Sequence, residues 1–220
     1  MTLLHRPRIQ SWLAAHLLCR VPDTGSRFAL TFDDGPSPRN TPRLLDLLAS
    51  HGAHATFFLL AERVRRHRDL ACRIGQEGHE LGAHGRVHAP AWALPRALLL
   101  QDLDASVAAI RESCGSAVRH YRAPFGLLFP AQANWVRARG LTPVLGDIYP
   151  RDHRVQQGEE IARRVLDRLE PGSIVILHDS SALMDLDRSP TIEAVDLILR
   201  EAAVRSLRSV SIAELVDKAD

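Results

Sequence analysis

Short apolar segments alternate with helical segments along almost the whole chain, and this alternation limits the folds that the chain can adopt. Arg27–Phe32 and Ala55–Leu60 have the length and the apolar composition of buried strands. The stretch between them, Thr41–Gly52, has helical periodicity, with Pro42 in its first turn and Gly52 past its end. Strands that are separated by helices form parallel βαβ units.

The whole pattern predicts about seven parallel strands in a single α/β domain. Strands are expected at residues 27–32, 55–60, 79–84, 118–124, 141–147, 173–179 and at the start of 207–219. Helices are expected at 41–52, 61–78 (in two pieces), 95–115, 131–140, 158–172, 189–206 and at the end of 207–219. This number of strands suits a distorted (β/α) barrel, with a doubly wound open sheet as the alternative. The main domain is expected over residues 27–220, after an N-terminal helical extension over 1–26.

Charge and cysteine content exclude several classes of function. The formal net charge is only +2 and the arginines are scattered, so we expect no binding to nucleic acid. The basic cluster Arg63–Arg68 reads as a solvated helix face, with a contact to an anionic lipid or polymer as the weaker alternative. The cysteines, Cys19, Cys72 and Cys114, are far apart and include no CxxC. They predict neither a disulfide framework nor a thiolate metal site, but small buried apolar residues in a reduced compartment.

The N-terminal apolar patch, Trp12–Cys19, is too short to span a membrane and is interrupted by His16. It also lacks the apolar core and the cleavage site of a signal peptide. We expect an amphipathic helix that packs on the domain or makes a peripheral contact with a membrane. The expected location is therefore the cytoplasm or the inner face of the membrane.

Polar residues follow the predicted strands at the points where the strands end. They are Asp33 and Asp34, His84 and His88, Arg122, Asp147 and Asp152, and His178 and Asp179. In a parallel barrel these positions share one rim, which is the face where catalytic residues gather. The sequence therefore predicts a single site at this rim.

The stretch HGRVH places His84 and His88 four residues apart, so that both imidazoles can bind one metal ion. Two unrelated surface histidines are the alternative. One of the adjacent carboxylates, Asp33 or Asp34, would complete a set of two histidines and one carboxylate. The other would then be free to act as a base on water.

Two further residues fit such a site. Arg122 in RAPFG is either a surface cation or a clamp on a catalytic carboxylate. His178 in ILHDS is either a rim residue with a satisfied hydrogen bond or a general acid that protonates a leaving amine.

These motifs together resemble the polysaccharide deacetylases of the NodB-homology type, carbohydrate esterase family four. TFDDGPS matches the first motif of that family letter for letter, and ATFF, GHELGAH, RAPFG and ILHD follow in the family's order. The resemblance covers about Arg27 to Val216 and implies a distorted barrel with a divalent metal ion, usually Zn²⁺, with Co²⁺, Ni²⁺ or Mn²⁺ as other candidates.

The resemblance also implies a role for each site residue. Asp33 would be the base, Asp34, His84 and His88 the metal ligands, Arg122 the group that orients the base, His178 the acid and Asp152 the residue that tunes it. The backbone N–H of Phe125 would stabilise the oxyanion, and His153 and Ile176 would line the substrate pocket.

Three positions depart from the family pattern. Gly85 replaces the usual Ser or Thr between the two histidines, so a hydrogen bond that supports the metal ligands is expected to be lost. In YPRDH, Tyr149 replaces an Asp and His153 replaces the Trp that walls the acetyl pocket. A smaller, more polar wall predicts a different acyl group or substrate.

The function that the resemblance implies is removal of the N-acetyl group from an N-acetylated amino sugar, in a polysaccharide or on a lipid carrier. The alternatives are a non-catalytic carbohydrate-binding domain and a hydrolase of a non-sugar amide.

Overall fold

A parallel sheet of seven strands organises the part of the chain that this computed structural model describes, residues 16–182 and 184–217. The strands are β1 (Arg27–Asp33), β2 (Ala55–Leu59), β3 (Glu80–Ala83), β4 (His120–Tyr121), β5 (Thr142–Pro143), β6 (Ile174–His178) and β7 (Arg208–Val210). Their order is β5-β4-β3-β2-β1-β6, and β7 pairs with the first half of β1. All these pairings are parallel, as the alternation of strands and helices predicts.

Eight α-helices within the described residues connect and cover the strands. They are α1 (Thr41–Ser50), α2 (Ala61–Arg66), α3 (Arg68–Gln76), α4 (Arg96–Cys114), α5 (Pro130–Arg137), α6 (Gly158–Leu166), α7 (Ser189–Val204) and α8 (Ile212–Val216). The predicted break in 61–78 is confirmed, because His67 leaves helical geometry (φ −126°, ψ 52°) between α2 and α3. Helix α4 ends at Gly115, whose φ of 67° is the left-handed conformation that favours glycine.

The sheet curls until its two edges meet, which makes it a distorted barrel. Strand β1 lies between β2 and β6 and is buried along almost its whole length. On the far side, Ile148, which follows β5, forms a parallel bridge with Val175 in β6, and the N–H of Ile176 donates to the C=O of Ile148 at 2.8 Å. An open doubly wound sheet would leave these edges apart, so the barrel prediction is confirmed.

Strands β4 and β5 are shorter than predicted, with two residues each. The prediction for residues 141–147 fails because the chain turns at Gly146, whose φ is 107°, before it reaches β6. The wall on this side of the barrel is therefore built largely from irregular backbone.

The N-terminal segment is described only from residue 16 onward, so residues 1–15 of the predicted helical extension, and with them half of the apolar patch Trp12–Cys19, lie outside the described residues. The described end runs along the sheet: the N–H of Leu18 donates to the C=O of Pro143 at 2.8 Å, and that of Val21 to the C=O of Gly172 at 3.0 Å. Among the described helices, none is both long enough and apolar enough to cross a bilayer.

Two of the three cysteines lie side by side in the fold. The Sγ atoms of Cys72 in α3 and Cys114 at the end of α4 are 2.6 Å apart, whereas Cys19 packs against a different apolar cluster. The prediction that the cysteines are small buried apolar residues is confirmed only in part, because all three are half-buried.

Candidate active site

The polar residues that follow the strands surround one cavity of about 380 Å³. Nine of the ten predicted site residues line it: Asp33, Asp34, His84, His88, Arg122, Phe125, His153, Ile176 and His178. The tenth, Asp152, is buried directly behind His178. They meet here because the carboxyl ends of parallel strands share one rim.

A buried ion pair holds Asp33 at the end of β1. Arg122 Nη1 donates to Asp33 Oδ1 and to Thr31 Oγ1, each at 2.6 Å. Arg122 is only 1% exposed, and its guanidinium lies 4.2 Å from the ring centroid of Phe58. Burial lowers the pKa of Arg122, and the charge of Asp33 opposes that shift. The fixed guanidinium therefore orients Asp33 by binding one of its two oxygens.

Asp34, His84 and His88 converge on one point. Oδ1 of Asp34 lies 3.5 Å from Nε2 of His84 and 3.4 Å from Nε2 of His88. This oxygen is buried and has no hydrogen-bond partner among the described residues. Donor atoms about 2.1 Å from a tetrahedral Zn²⁺ lie about 3.4 Å from one another. The three side chains therefore fit a divalent cation.

The orientation of the first histidine is set by the backbone. The Nδ1–H of His84 donates to the C=O of Arg122 at 2.8 Å, and with this tautomer the lone pair of Nε2 faces Asp34. Asp34 itself has a φ of 74°, a conformation that is costly for an aspartate and that recurs at functional sites. The local backbone thus turns both side chains toward the same point.

The charges of this cluster shift its pKa values. Burial disfavours the ionised form of Asp34, but the interaction with the adjacent His84 ring and the charges of the nearby histidines outweigh it and hold the pKa well below its usual range. Burial also opposes the charged form of His84, yet Asp34 raises its pKa, whereas burial lowers the pKa of His88. An ionised carboxylate and a neutral imidazole are the forms that bind metal.

His178 is paired with a buried aspartate on the opposite side of the cavity. Its Nδ1–H donates to Oδ1 of Asp152 at 2.8 Å, and Oδ2 of Asp152 accepts from the N–H of His178 at 2.8 Å and from Thr191 Oγ1 at 3.1 Å. Burial lowers the pKa of His178, but the charge and hydrogen bond of Asp152 outweigh it and raise it to about 9. His178 therefore carries a proton at neutral pH.

His153 lies beside this pair. Its ring stacks on Tyr149 with centroids 5.8 Å apart and meets His178 edge-on at 5.5 Å. Donor atoms of Asp152, His153 and His178 lie within 4.8 Å of one another, as metal ligands would. However, Asp152 and His178 bind each other, and Arg154 Nε donates to Nε2 of His153 at 3.2 Å. The first cluster, with its unpaired carboxylate oxygen, is therefore the better metal site.

Apolar side chains form the rest of the cavity wall. Phe125 has a φ of 62°, and its ring packs edge-on against His88 at 4.4 Å and Trp92 at 5.3 Å. Ile176 lines the cavity from β6. A substrate would thus contact an apolar surface next to the charged groups; the oxyanion role of the Phe125 N–H stays a prediction.

Two other aspartates that follow strands do not line the cavity, and for Asp147 the expectation of a shared rim is wrong. Asp147 lies at the opposite end of β6, where its carboxylate accepts from the N–H of Ile174 at 2.8 Å. Asp179 is buried under the turn that follows Asp34, where Thr41 Oγ1 donates to it and it packs closely against Gly35. Burial raises the pKa of Asp179 to about 7.

The loop between the two histidines is held by helix α4, through contacts that the sequence did not indicate. The N–H of Arg86 donates to Asp102 Oδ1 at 3.0 Å, and Ser106 Oγ donates to the C=O of Gly85 at 3.2 Å. The acceptor Asp102 and the donor Ser106 both lie in α4, and both bind the peptide unit that joins Gly85 to Arg86. Hydrogen bonds from α4 therefore hold the loop at the position where the Gly85 departure predicts that a hydrogen bond is lost.

Restoring a serine at this position is expected to weaken the site. Gly85 has a φ of 90°, and a Cβ there would lie 2.8 Å from Asp102 Oδ2 and 3.2 Å from the C=O of Val87. Gly85→Ser should lower the melting temperature by roughly 2–10 °C and weaken Zn²⁺ binding several-fold in a chelator competition. Gly140→Ser is the matched control, since Gly140 has a φ of 75° but nothing within 4 Å of a Cβ. Equal zinc affinity in both variants would show that the loop between His84 and His88 does not determine how well the two histidines bind the metal.

Sequence reasoning missed four residues that support the site. They are Thr31 and Thr191, which bind Arg122 and Asp152, and the loop-holding Asp102 and Ser106. Thr31 lies just before the double aspartate on the same face of β1 as Asp33, so strand alternation could have indicated it. No sequence signal marks the other three, because each comes from a helix that is distant along the chain.

Comparison with protein families agrees with these observations. Residues 20–144 match the family model described as polysaccharide deacetylase. A peptidoglycan-N-acetylglucosamine deacetylase of Bacillus cereus is 35% identical over 199 residues, which cover 89% of this chain and 91% of the relative. A chitooligosaccharide deacetylase of Azorhizobium caulinodans is 32% identical over 161 residues, which cover 73% and 77%.

Solved structures share the fold. The peptidoglycan N-acetylglucosamine deacetylase Bc1960 has a TM-score of 0.88 at 26% identity, covering 96% of this chain and 97% of its own. BA3943 of Bacillus anthracis, a CE4 family pseudoenzyme, has a TM-score of 0.83 at 22% identity, covering 92% and 70%. At that identity the second likeness concerns the fold alone.

Proposed function

The chain belongs to the polysaccharide deacetylase family, and from this premise we propose that it hydrolyses the N-acetyl amide of an N-acetylated amino sugar in a glycan. One observation carries the proposal: a carboxylate held by Arg122, a three-residue metal cluster and a protonated His178 all face one cavity. These are the base, the cation site and the acid that hydrolysis of an amide needs.

Asp34, His84 and His88 would hold the cation. Two imidazoles and a carboxylate are a ligand set that Zn²⁺ accepts, and Co²⁺, Ni²⁺ and Mn²⁺ accept it as well. Bound there, a divalent ion would polarise the amide carbonyl and lower the pKa of a water molecule.

The chain's own residues would move the protons. Asp33, held by Arg122 through one oxygen, takes a proton from the attacking water. The Phe125 N–H donates to the oxygen of the tetrahedral intermediate. His178, which the Asp152 pair keeps protonated, gives its proton to the amine nitrogen as the C–N bond breaks. Asp152 then stabilises the imidazole in the orientation needed for the next cycle.

The substrate class follows from the relatives. They are named for chitooligosaccharide and for peptidoglycan N-acetylglucosamine, so an N-acetylglucosamine unit is the first substrate to test, with a lipid-linked amino sugar as a further one. The cavity of about 380 Å³, partly apolar and partly charged, supports binding of one sugar with its acyl group.

The direct test is acetate release by the purified, metal-loaded protein. The panel contains chitooligosaccharides, peptidoglycan fragments, a lipid-linked N-acetylamino sugar and N-acetylated amides without a sugar. Release from at least one glycan, abolished by a chelator, is expected. Glycan binding without acetate release would favour a non-catalytic binding domain, and release from the non-sugar amides alone would overturn the substrate class.

His153 is expected to set acyl selectivity. His153→Trp fills the wall beside His178 and should shift the ratio of kcat/KM for N-acetyl over N-butyryl substrates upward by roughly tenfold. Tyr149→Phe is the matched control, because it removes only the hydroxyl that lies 3.2 Å from His153 Nδ1. If both variants keep the wild-type ratio across an acyl series, His153 does not face the acyl group.

A further inference from the structure

Cys72 and Cys114 bring two thiol sulfurs into contact at the surface of the protein. Their Sγ atoms are 2.6 Å apart. Nitrogen and oxygen atoms in ordinary hydrogen bonds lie about 2.7–3.2 Å apart, and sulfur is a larger atom, so two separate thiols at this distance are compressed. A covalent bond of about 2.05 Å relieves that compression. We propose that Cys72 and Cys114 form an intramolecular disulfide bond.

The two sulfurs are brought together by docked helices. Arg68 Nε, at the start of α3, donates to the C=O of Ser113 at 3.0 Å, and this carbonyl lies at the C-terminus of α4. The Cys72 thiol donates to the same carbonyl at 3.1 Å. Because α4 ends at the next turn, with Gly115 in the left-handed conformation, Cys114 is held in the last helical position facing α3. The pair is therefore preorganised.

An oxidant can reach the pair. Cys72 and Cys114 are half-buried and line a surface depression of about 320 Å³ together with Gly75, Gln76, Ser113 and Ser116. None of these residues lines the catalytic cavity. Cross-linking thus leaves the proposed catalytic groups untouched, and the inference does not depend on the proposed function.

The reaction is thiol–disulfide exchange with a small-molecule or protein disulfide. With Cys72 as the first nucleophile, its sulfur attacks one sulfur of the oxidant's disulfide. It forms a mixed disulfide and expels one thiolate of the oxidant. The Cys114 sulfur then attacks the Cys72 sulfur and expels the second thiolate. Two thiols lose two protons and two electrons, and the oxidant's disulfide becomes two thiols.

The bond would close a loop that carries both histidines of the metal cluster. His84 and His88 lie between the two cysteines in the chain. Closing a loop of this length restricts the unfolded chain, and the oxidised protein should therefore melt roughly 4–16 °C above the reduced protein. A cross-link of this kind persists in oxidising compartments, which revises the sequence-based expectation of three reduced thiols.

The test counts thiols in the full-length protein after equilibration with oxidised glutathione. Of the three cysteines in the chain, only Cys19 should react with a thiol reagent after denaturation. The intact mass should fall by about 2 Da, the mass of two hydrogen atoms, and peptide mapping should join the Cys72 and Cys114 peptides. The melting temperatures of wild-type protein with and without reductant are compared directly, so this measurement does not require any variant to fold.

Three variants complete the experiment. Cys72→Ser and Cys114→Ser should each lose the joined peptide and melt at the same temperature with and without reductant. Cys19→Ser is the matched control, which should keep the joined peptide and show no reactive thiol. Three reactive thiols in wild-type protein that has been equilibrated with oxidised glutathione and then denatured, or cross-links that join separate chains, would overturn the proposal.

Discussion

Asparagine at position 34 is expected to remove the metal ion and the activity together. Oδ1 of Asp34 faces Nε2 of both His84 and His88 at 3.4–3.5 Å, so it is the anionic member of the proposed ligand set. An amide of the same shape has no charge, and it binds a divalent cation far more weakly. Metal per chain, measured by mass spectrometry after dialysis, should fall with the rate of acetate release. Excess metal should restore part of that rate.

Asp33→Asn is the matched partner of this experiment. It leaves the three proposed ligands in place, so the metal should stay bound, but it removes the group that we propose takes a proton from water. Hydrolysis should fall by roughly 10²–10⁴-fold, and added metal should restore nothing. The amide oxygen of the new side chain can still accept from Arg122, but the buried guanidinium loses its counter-charge, so the melting temperature should also drop.

The two variants separate the roles of neighbouring residues. If Asp33→Asn loses the metal and Asp34→Asn keeps it, the roles are reversed. If neither loses activity, the double aspartate is only a turn.

His178→Ala is expected to slow hydrolysis by roughly 10²–10⁴-fold while the metal content stays unchanged. The residue is placed to protonate the leaving amine, and it lies outside the Asp34, His84 and His88 cluster. Wild-type rates in this variant would remove His178 from the mechanism.

The pH dependence of His178 follows from its pair with Asp152. Its raised pKa of about 9 means that the proton is held at neutral pH and lost as the pH rises through that value. The same pair stabilises the fold fully below the usual pKa of imidazole, about 6.5, and this contribution is lost through about pH 9. NMR titration of the metal-free protein should find the imidazole titrating near pH 9, and Asp152→Asn should bring it back toward 6.5. An unchanged titration in Asp152→Asn would contradict the assigned cause.

Most of the site was predictable because two simple rules act on it. Parallel strands deliver the residues at their carboxyl ends to one rim, and the four-residue spacing predicts that His84 and His88 reach one point, although the segment between them is a non-helical loop with Gly85 at a φ of 90°. Asp147 shows where the first rule fails: β5 ends after Pro143, and the backbone then bends to the other end of β6. The sequence cannot reveal the contact of Gly85 with Asp102 or of Cys72 with Cys114, because each depends on how α4 docks.

Arg122 serves both halves of the proposed chemistry at once. Its side chain binds Asp33, and its backbone carbonyl accepts from His84. A change that shifts this one residue at the end of the two-residue strand β4 would disturb the base and the cation site in a single step. We therefore expect substitutions that move this backbone to lower the rate of hydrolysis and the metal affinity together, rather than one without the other. A design that alters the proposed base or the proposed metal site would therefore need to keep the backbone position of Arg122 unchanged.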